Sequence, residues 1–194
     1  MKTTLLLGTV VAGVVALGAS AHAAPIAAGS ALSLNGNDSF TATSVTFTNP
    51  ANIGAGTGSF ASLAPLPCNG CATMIGSLTA ATPLGSALYT GHNLANTITT
   101  DLVLTSAPVF TFVDGALPNL TVTGNGTLDL TGFDPTPGTY ILTTQGPTGV
   151  TVTFSVTATA LATAAPEPAS LAILGGALAA MGGLARRRRK AAQR

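Results

Sequence analysis

The chain has 194 residues, enough for one domain with a real core but hardly two once both ends are set aside. Charged residues make up 7% of it, against roughly 25% in ordinary soluble domains, and they are segregated. Lys2 opens the chain, Arg186, Arg187, Arg188, Arg189, Lys190 and Arg194 close it, and no Lys or Arg lies between. The middle, holding Asp38, Asp101, Asp114, Asp129, Asp134 and Glu167, is weakly acidic; it lacks the cations that release counterions from phosphate, which excludes nucleic-acid binding.

Residues 1–23 have the three parts of a secretory signal: basic Lys2, an apolar run from Leu5 to Leu17, and a small-residue end. Ala21 and Ala23 fit the two small positions of an A-x-A site, so the scissile bond is expected at Ala23-Ala24, one residue clear of Pro25. The alternative, an uncleaved membrane helix, suffers from the shortness of the apolar run. Export implies a signal peptidase and a translocon as partners, and an oxidising destination.

The middle, 24–163, reads as a single all-β domain of the sandwich type. "SVTFT" alternates Val45 and Phe47 with polar residues, and "TVTGNGTLDL" sets two such runs about Gly124-Asn125-Gly126, a hairpin pattern. Further strands are expected at Asn96–Thr105 and Val109–Val113. The run from Thr139 to Ala160 repeats the hairpin arrangement, with Val150, Val152, Phe154 and Val156 on one face and Thr151, Thr153, Ser155 and Thr157 on the other. These runs predict about eight strands in two packed sheets. The Gly, Pro and Ala-rich region Ile53–Leu94 reads as loop with one or two short elements.

Within that loop, "PCNGC" places Cys68 and Cys71 about an Asn-Gly turn, and in an oxidising compartment a disulfide is the simplest reading. A redox-active C-x-x-C wants a strand before it and a helix after it; Pro65 and Pro67 precede the motif and a poor helix follows. His92, the one histidine beyond the signal, sits in "YTGHNLAN", which matches no nucleophile or metal motif. Without a nucleophile elbow or paired Glu residues, an enzyme is not expected, nor any cofactor. Calcium is the one metal alternative, from "NGNDS" at Asn35–Ser39 with Asp114, Asp129 and Asp134, although such residues are favoured at turns anyway. The T-x-T pairs Thr121/Thr123, Thr151/Thr153 and Thr157/Thr159 have two readings: an ice-binding array, or more simply the solvent face of half-buried strands.

Residues 164–194 hold Pro166-Glu167-Pro168, whose prolines favour an extended, unpaired backbone that a processing enzyme can grip. An uncharged stretch follows from Ala169 to Ala185, about 25 Å as a helix and at the lower limit for a transmembrane helix. Arg186 to Lys190 then act as a cytoplasmic stop by the positive-inside rule. A permanent anchor needs the same apolar run and arginines; a core helix has no need of the arginine block.

Pro-Glu-Pro, an apolar segment and a terminal "RRRRK" together resemble the PEP-CTERM sorting signal of exported Gram-negative bacterial proteins. The resemblance implies an exosortase partner that recognises Pro166, Glu167 and Pro168, with Arg186, Arg187, Arg188, Arg189 and Lys190 as the stop. It implies transient inner-membrane anchoring and a final place at the cell surface or in an exopolysaccharide matrix. "GTLDLTGFDPTPGTYILTTQ" is similar to the ectodomain ends of that family and carries no assigned activity.

Overall fold

The computed structural model describes residues 23–162, together with 175–178 and 181. Residues 23–162 belong to one compact unit. Ten strands build it. They are β1 (Ala31–Phe40), β2 (Ser44–Gly56), β3 (Cys68–Met74), β4 (Ser77–Thr79), β5 (Ala87–His92), β6 (Thr99–Leu104), β7 (Val109–Val113), β8 (Asn119–Leu130), β9 (Thr136–Gln145) and β10 (Val152–Ala160), with a 3-10 helix at Gly58–Leu63.

The strands pair antiparallel in the order β1-β10-β9-β8-β6-β5-β3-β2, and β2 returns to pair with β1. That last pairing closes an eight-stranded barrel and overturns the two-sheet sandwich expected from the sequence. Strict alternation of buried and exposed residues is what a sandwich strand and a barrel strand share. The choice between them rests on β1 having hydrogen-bonded partners on both edges. The expected transmembrane helix is corrected with it: no helix among the described residues is long and apolar enough to cross a membrane. The segments assigned to the signal helix, 1–23, and to the transmembrane helix, 169–185, lie outside the described residues except for Ala23, 175–178 and 181.

Two interruptions shape the barrel. β6 and β7 run in the same direction along β8, β6 beside Gly126–Leu130 and β7 beside Asn119–Thr123. They are one long strand broken at residues 105–108, where Ser106 Oγ accepts from Asn125 N at 2.9 Å. β3 and β4 likewise follow β2 in turn. The short β5 joins β3 to β6, so closure runs through β5 at one end, while β4 and β7 have no such bridge at the other.

The "TGNG" segment is not a hairpin: β8 runs unbroken through it. Its glycines are there for space. A Cβ on Gly124 would lie 2.7 Å from the Tyr140 hydroxyl oxygen, and one on Gly126 would lie 2.5 Å from a Leu102 methyl. Large side chains from neighbouring strands fold over a backbone that has none of its own. The β9–β10 hairpin does form, with Phe154 and Val156 buried and Val150 exposed beyond the strand start. The segment Ile53–Leu94 carries the end of β2, the 3-10 helix, β3, β4 and β5, so it is structured where loop was expected. Its Gly and Pro content masks strands held by long-range pairing.

The lumen is filled. Leu32, Leu34, Ile53, Leu102, Leu128, Leu142 and Val156 are each 0% exposed, and Phe47 meets Phe154 edge-on at 5.0 Å between ring centroids. Burying one such leucine contributes about 2 kcal/mol, and the sum over the barrel is the main force that closes it.

Candidate functional surfaces

Cross-strand register sets Asp101 of β6 directly opposite Asp129 of β8. Burial and then the Asp129 charge raise the Asp101 carboxyl above the ordinary carboxylate range. Thr99 and Thr131 flank them, Oγ1 to Oγ1 at 3.0 Å, around a shallow hollow of about 270 Å³ whose lining includes Phe133. His92 lies at the end of β5 in an adjoining hollow that Asp101 also lines, its Nδ1 2.9 Å from the Asn93 carbonyl oxygen. Nothing in the sequence pairs Asp101 with Asp129; their pairing follows only from the β6–β8 register.

Asp38 behaves differently. It sits on β1 with its side chain in the lumen, 0% exposed. Oδ1 accepts a hydrogen bond from Thr144 Oγ1 at 3.0 Å, and Oδ2 has no partner among the described residues. Burial pushes the carboxyl up to about 6, with the Thr144 bond pulling in the opposite direction. Residues 24–163 contain no Lys or Arg to pair with it. The Tyr89 and Tyr140 hydroxyls and Thr100 Oγ1 are likewise buried without partners among the described residues. Burial pushes Tyr140 up to about 12 and Tyr89 further still.

The outer face between β7 and β2 carries a third arrangement. Successive pairings place Thr111, Thr121, Thr143, Ser155, Asn35 and Asn52 in one row across six strands. A second row holds Val113, Asn119, Gln145, Thr153, Asn37 and Thr48. At about 4.8 Å per strand each row spans roughly 24 Å, and neither contains an ionisable group. Asn119, Thr121, Thr143, Gln145 and Ser155 line a hollow of about 530 Å³ on this face, with Leu117 at its margin. Asn52 ties the face to the cysteine loop, donating to Asn35 Oδ1 at 3.2 Å and accepting from Gly70 N at 2.8 Å.

Cys68 and Cys71 form a disulfide within β3, Cα to Cα 5.6 Å, both nearly fully buried. Their segment is a strand and is followed by β4, not a helix. The four places considered for calcium do not converge. Asn35–Ser39 is part of β1, Asp114 lies in the turn after β7, Asp129 faces Asp101, and Asp134 N bonds the Ala24 carbonyl at 3.0 Å. No cluster of three or more His, Cys, Asp or Glu that could hold a metal occurs among the described residues. Of the T-x-T residues, Thr121, Thr123, Thr153, Thr157 and Thr159 lie in β8 or β10, and Thr151 just precedes β10. Ala21, Pro166, Glu167, Pro168, Arg186, Arg187, Arg188, Arg189 and Lys190 lie outside the described residues, whereas Ala23 and Ala24 are exposed at the start of the barrel unit. Compared with known proteins, the chain matches no family model, no curated sequence and no solved structure.

Proposed function

We propose that this chain is an exported surface or extracellular-matrix protein, non-enzymatic, whose C-terminal signal is read and cut by an exosortase. One observation carries the reading: the order Pro166-Glu167-Pro168, uncharged Ala169–Ala185 and Arg186–Lys190, in a chain whose other basic residues are only Lys2 and Arg194. A filled barrel with an internal disulfide and a hydroxyl-rich, weakly acidic exterior supports it, because such a body withstands an oxidising, matrix-filled setting. The experiment is intact mass of protein recovered from membrane and medium fractions, beside a Glu167→Ala variant. The expected wild-type product begins at Ala24 and ends between Pro166 and Ala169, while the variant keeps its arginines. Retention of Arg186–Arg194 in both would overturn the processing step.

A second reading is favoured by the two uncharged rows, hydroxyl and amide side chains apart from Val113: a module that binds neutral exopolysaccharide. Such groups exchange hydrogen bonds with sugar hydroxyls, and no carboxylate in these rows repels an acidic glycan. Retardation of the protein in gels cast with neutral polysaccharide tests it; identical mobility with and without the polymer rejects it.

A further inference from the structure

β7 is an edge strand of an unusual kind. It pairs only with β8, and no backbone hydrogen bond to another described residue leaves its far side. Edges in soluble proteins are blunted by charge, proline or shortness. β7 has five residues with no charge or proline among them, Pro108 and Asp114 lying just outside its ends. Its residues read Val109-Phe110-Thr111-Phe112-Val113, the same in both directions. Val109 and Val113 are 60% and 57% exposed, and Phe110 and Phe112 are half-buried against the core. The other free edge, β4, has only three residues, too few to hold a partner strand.

We propose that β7 is the interface for a second copy of this chain, joined edge to edge and antiparallel about a two-fold axis through Thr111. The palindrome makes the joint self-matching. Val109 stands opposite the partner's Val113, Phe110 opposite the partner's Phe112, and Thr111 opposite its own equivalent. Like pairs of β-branched and aromatic residues are the favourable cross-strand combinations, and a two-fold interface requires this kind of self-complementarity. Roughly four to six main-chain hydrogen bonds form, in place of bonds to water. Asp114 follows the strand, and the two copies' carboxylates stand at opposite ends of the joint, about 20 Å apart and beyond the Debye length. Thr143, Thr121 and Thr111 then run into the same three residues of the second copy, so the polar row continues across both barrels. The inference is independent of how the C-terminus is processed.

The test is a single cysteine on the axis. The described residues hold no free thiol, so Thr111→Cys in the full chain supplies one, and Thr90→Cys on the exposed face of β5 is the control. Under mild oxidation Thr111→Cys is expected to give at least fivefold more reducible dimer than the control. Thr111→Lys places two like charges on the axis, and sedimentation should show it monomeric where wild type dimerises, with an unchanged circular dichroism spectrum. Equal cross-linking in the two cysteine variants overturns the proposal, as does a wild-type dimer that survives Thr111→Lys. Larger open assemblies without the Thr111→Cys cross-link, as β7 joining β4 of another copy would give, overturn it too.

Discussion

β8 passes through both halves of the molecule, and its two ends differ. Between Gly126 and Leu130 it lies between β6 and β9 in a barrel closed by β5, where Leu102 and Leu128 are wholly buried. Between Asn119 and Thr123 its outer neighbour is the unbridged edge β7, whose two phenylalanines are only half-buried, and on the same side of the break lies the uncompensated Asp38. The pattern of alternation is the same in both halves. What differs is whether the short β5 reaches far enough to supply the missing partner. Closure therefore depends on the length of one strand, and the place where it stops is where the molecule keeps its free edge and its buried charge.

The largest effect should come from the closed half. Leu102→Ala is expected to cost about 2–5 kcal/mol in denaturant unfolding, and Phe112→Ala in the open half clearly less; equal losses would erase the distinction between the halves. Next is Asp38. Its folded carboxyl holds a proton up to about pH 6, whereas the unfolded chain releases it near pH 4. The folded state therefore binds more protons in that window, so stability falls as pH rises from 4 to 6 and is level above it. Thermal melts should show a loss of ~2 kcal/mol over that window, and Asp38→Asn should flatten it. A wild-type curve that rises with pH there would mean that the carboxyl is solvated or paired.

Smaller again is the disulfide. Closing a loop of four residues restricts the unfolded chain little, and Cys68→Ser with Cys71→Ser is expected to cost ~2 kcal/mol or less. A loss as large as that of Leu102→Ala would mean that the loop organises β3 and its junction with Asn52. The smallest effect is at the outer pair: Asp129→Asn removes the like charge facing Asp101 and should change stability by only about 0.5 kcal/mol. Carbon-detected titration should show the Asp101 carboxyl moving back toward the ordinary range, and no movement would place its cause in burial alone.

The sequence by itself determined the all-β character, because alternation such as Val45/Phe47 and Phe154/Val156 buries one face of a strand wherever that strand lies. The strand Val109–Val113 and the β9–β10 hairpin were legible for the same reason. The segregation of charge was legible too, since it needs no geometry. Tertiary structure alone decided the rest. Gly124 and Gly126 look like a turn until Tyr140 and Leu102 are seen lying across them. Cys68–Met74 looks like loop until β2 and β5 pair with it. Barrel and sandwich share one local pattern and differ in whether β1 finds β2 on its open edge. Asp38 and Asp101, two aspartates in alternating runs, acquire different chemistry from which face of the sheet each occupies and what register sets beside it. Local sequence specifies which side of a strand is apolar; only the closed path of the chain specifies what that side meets.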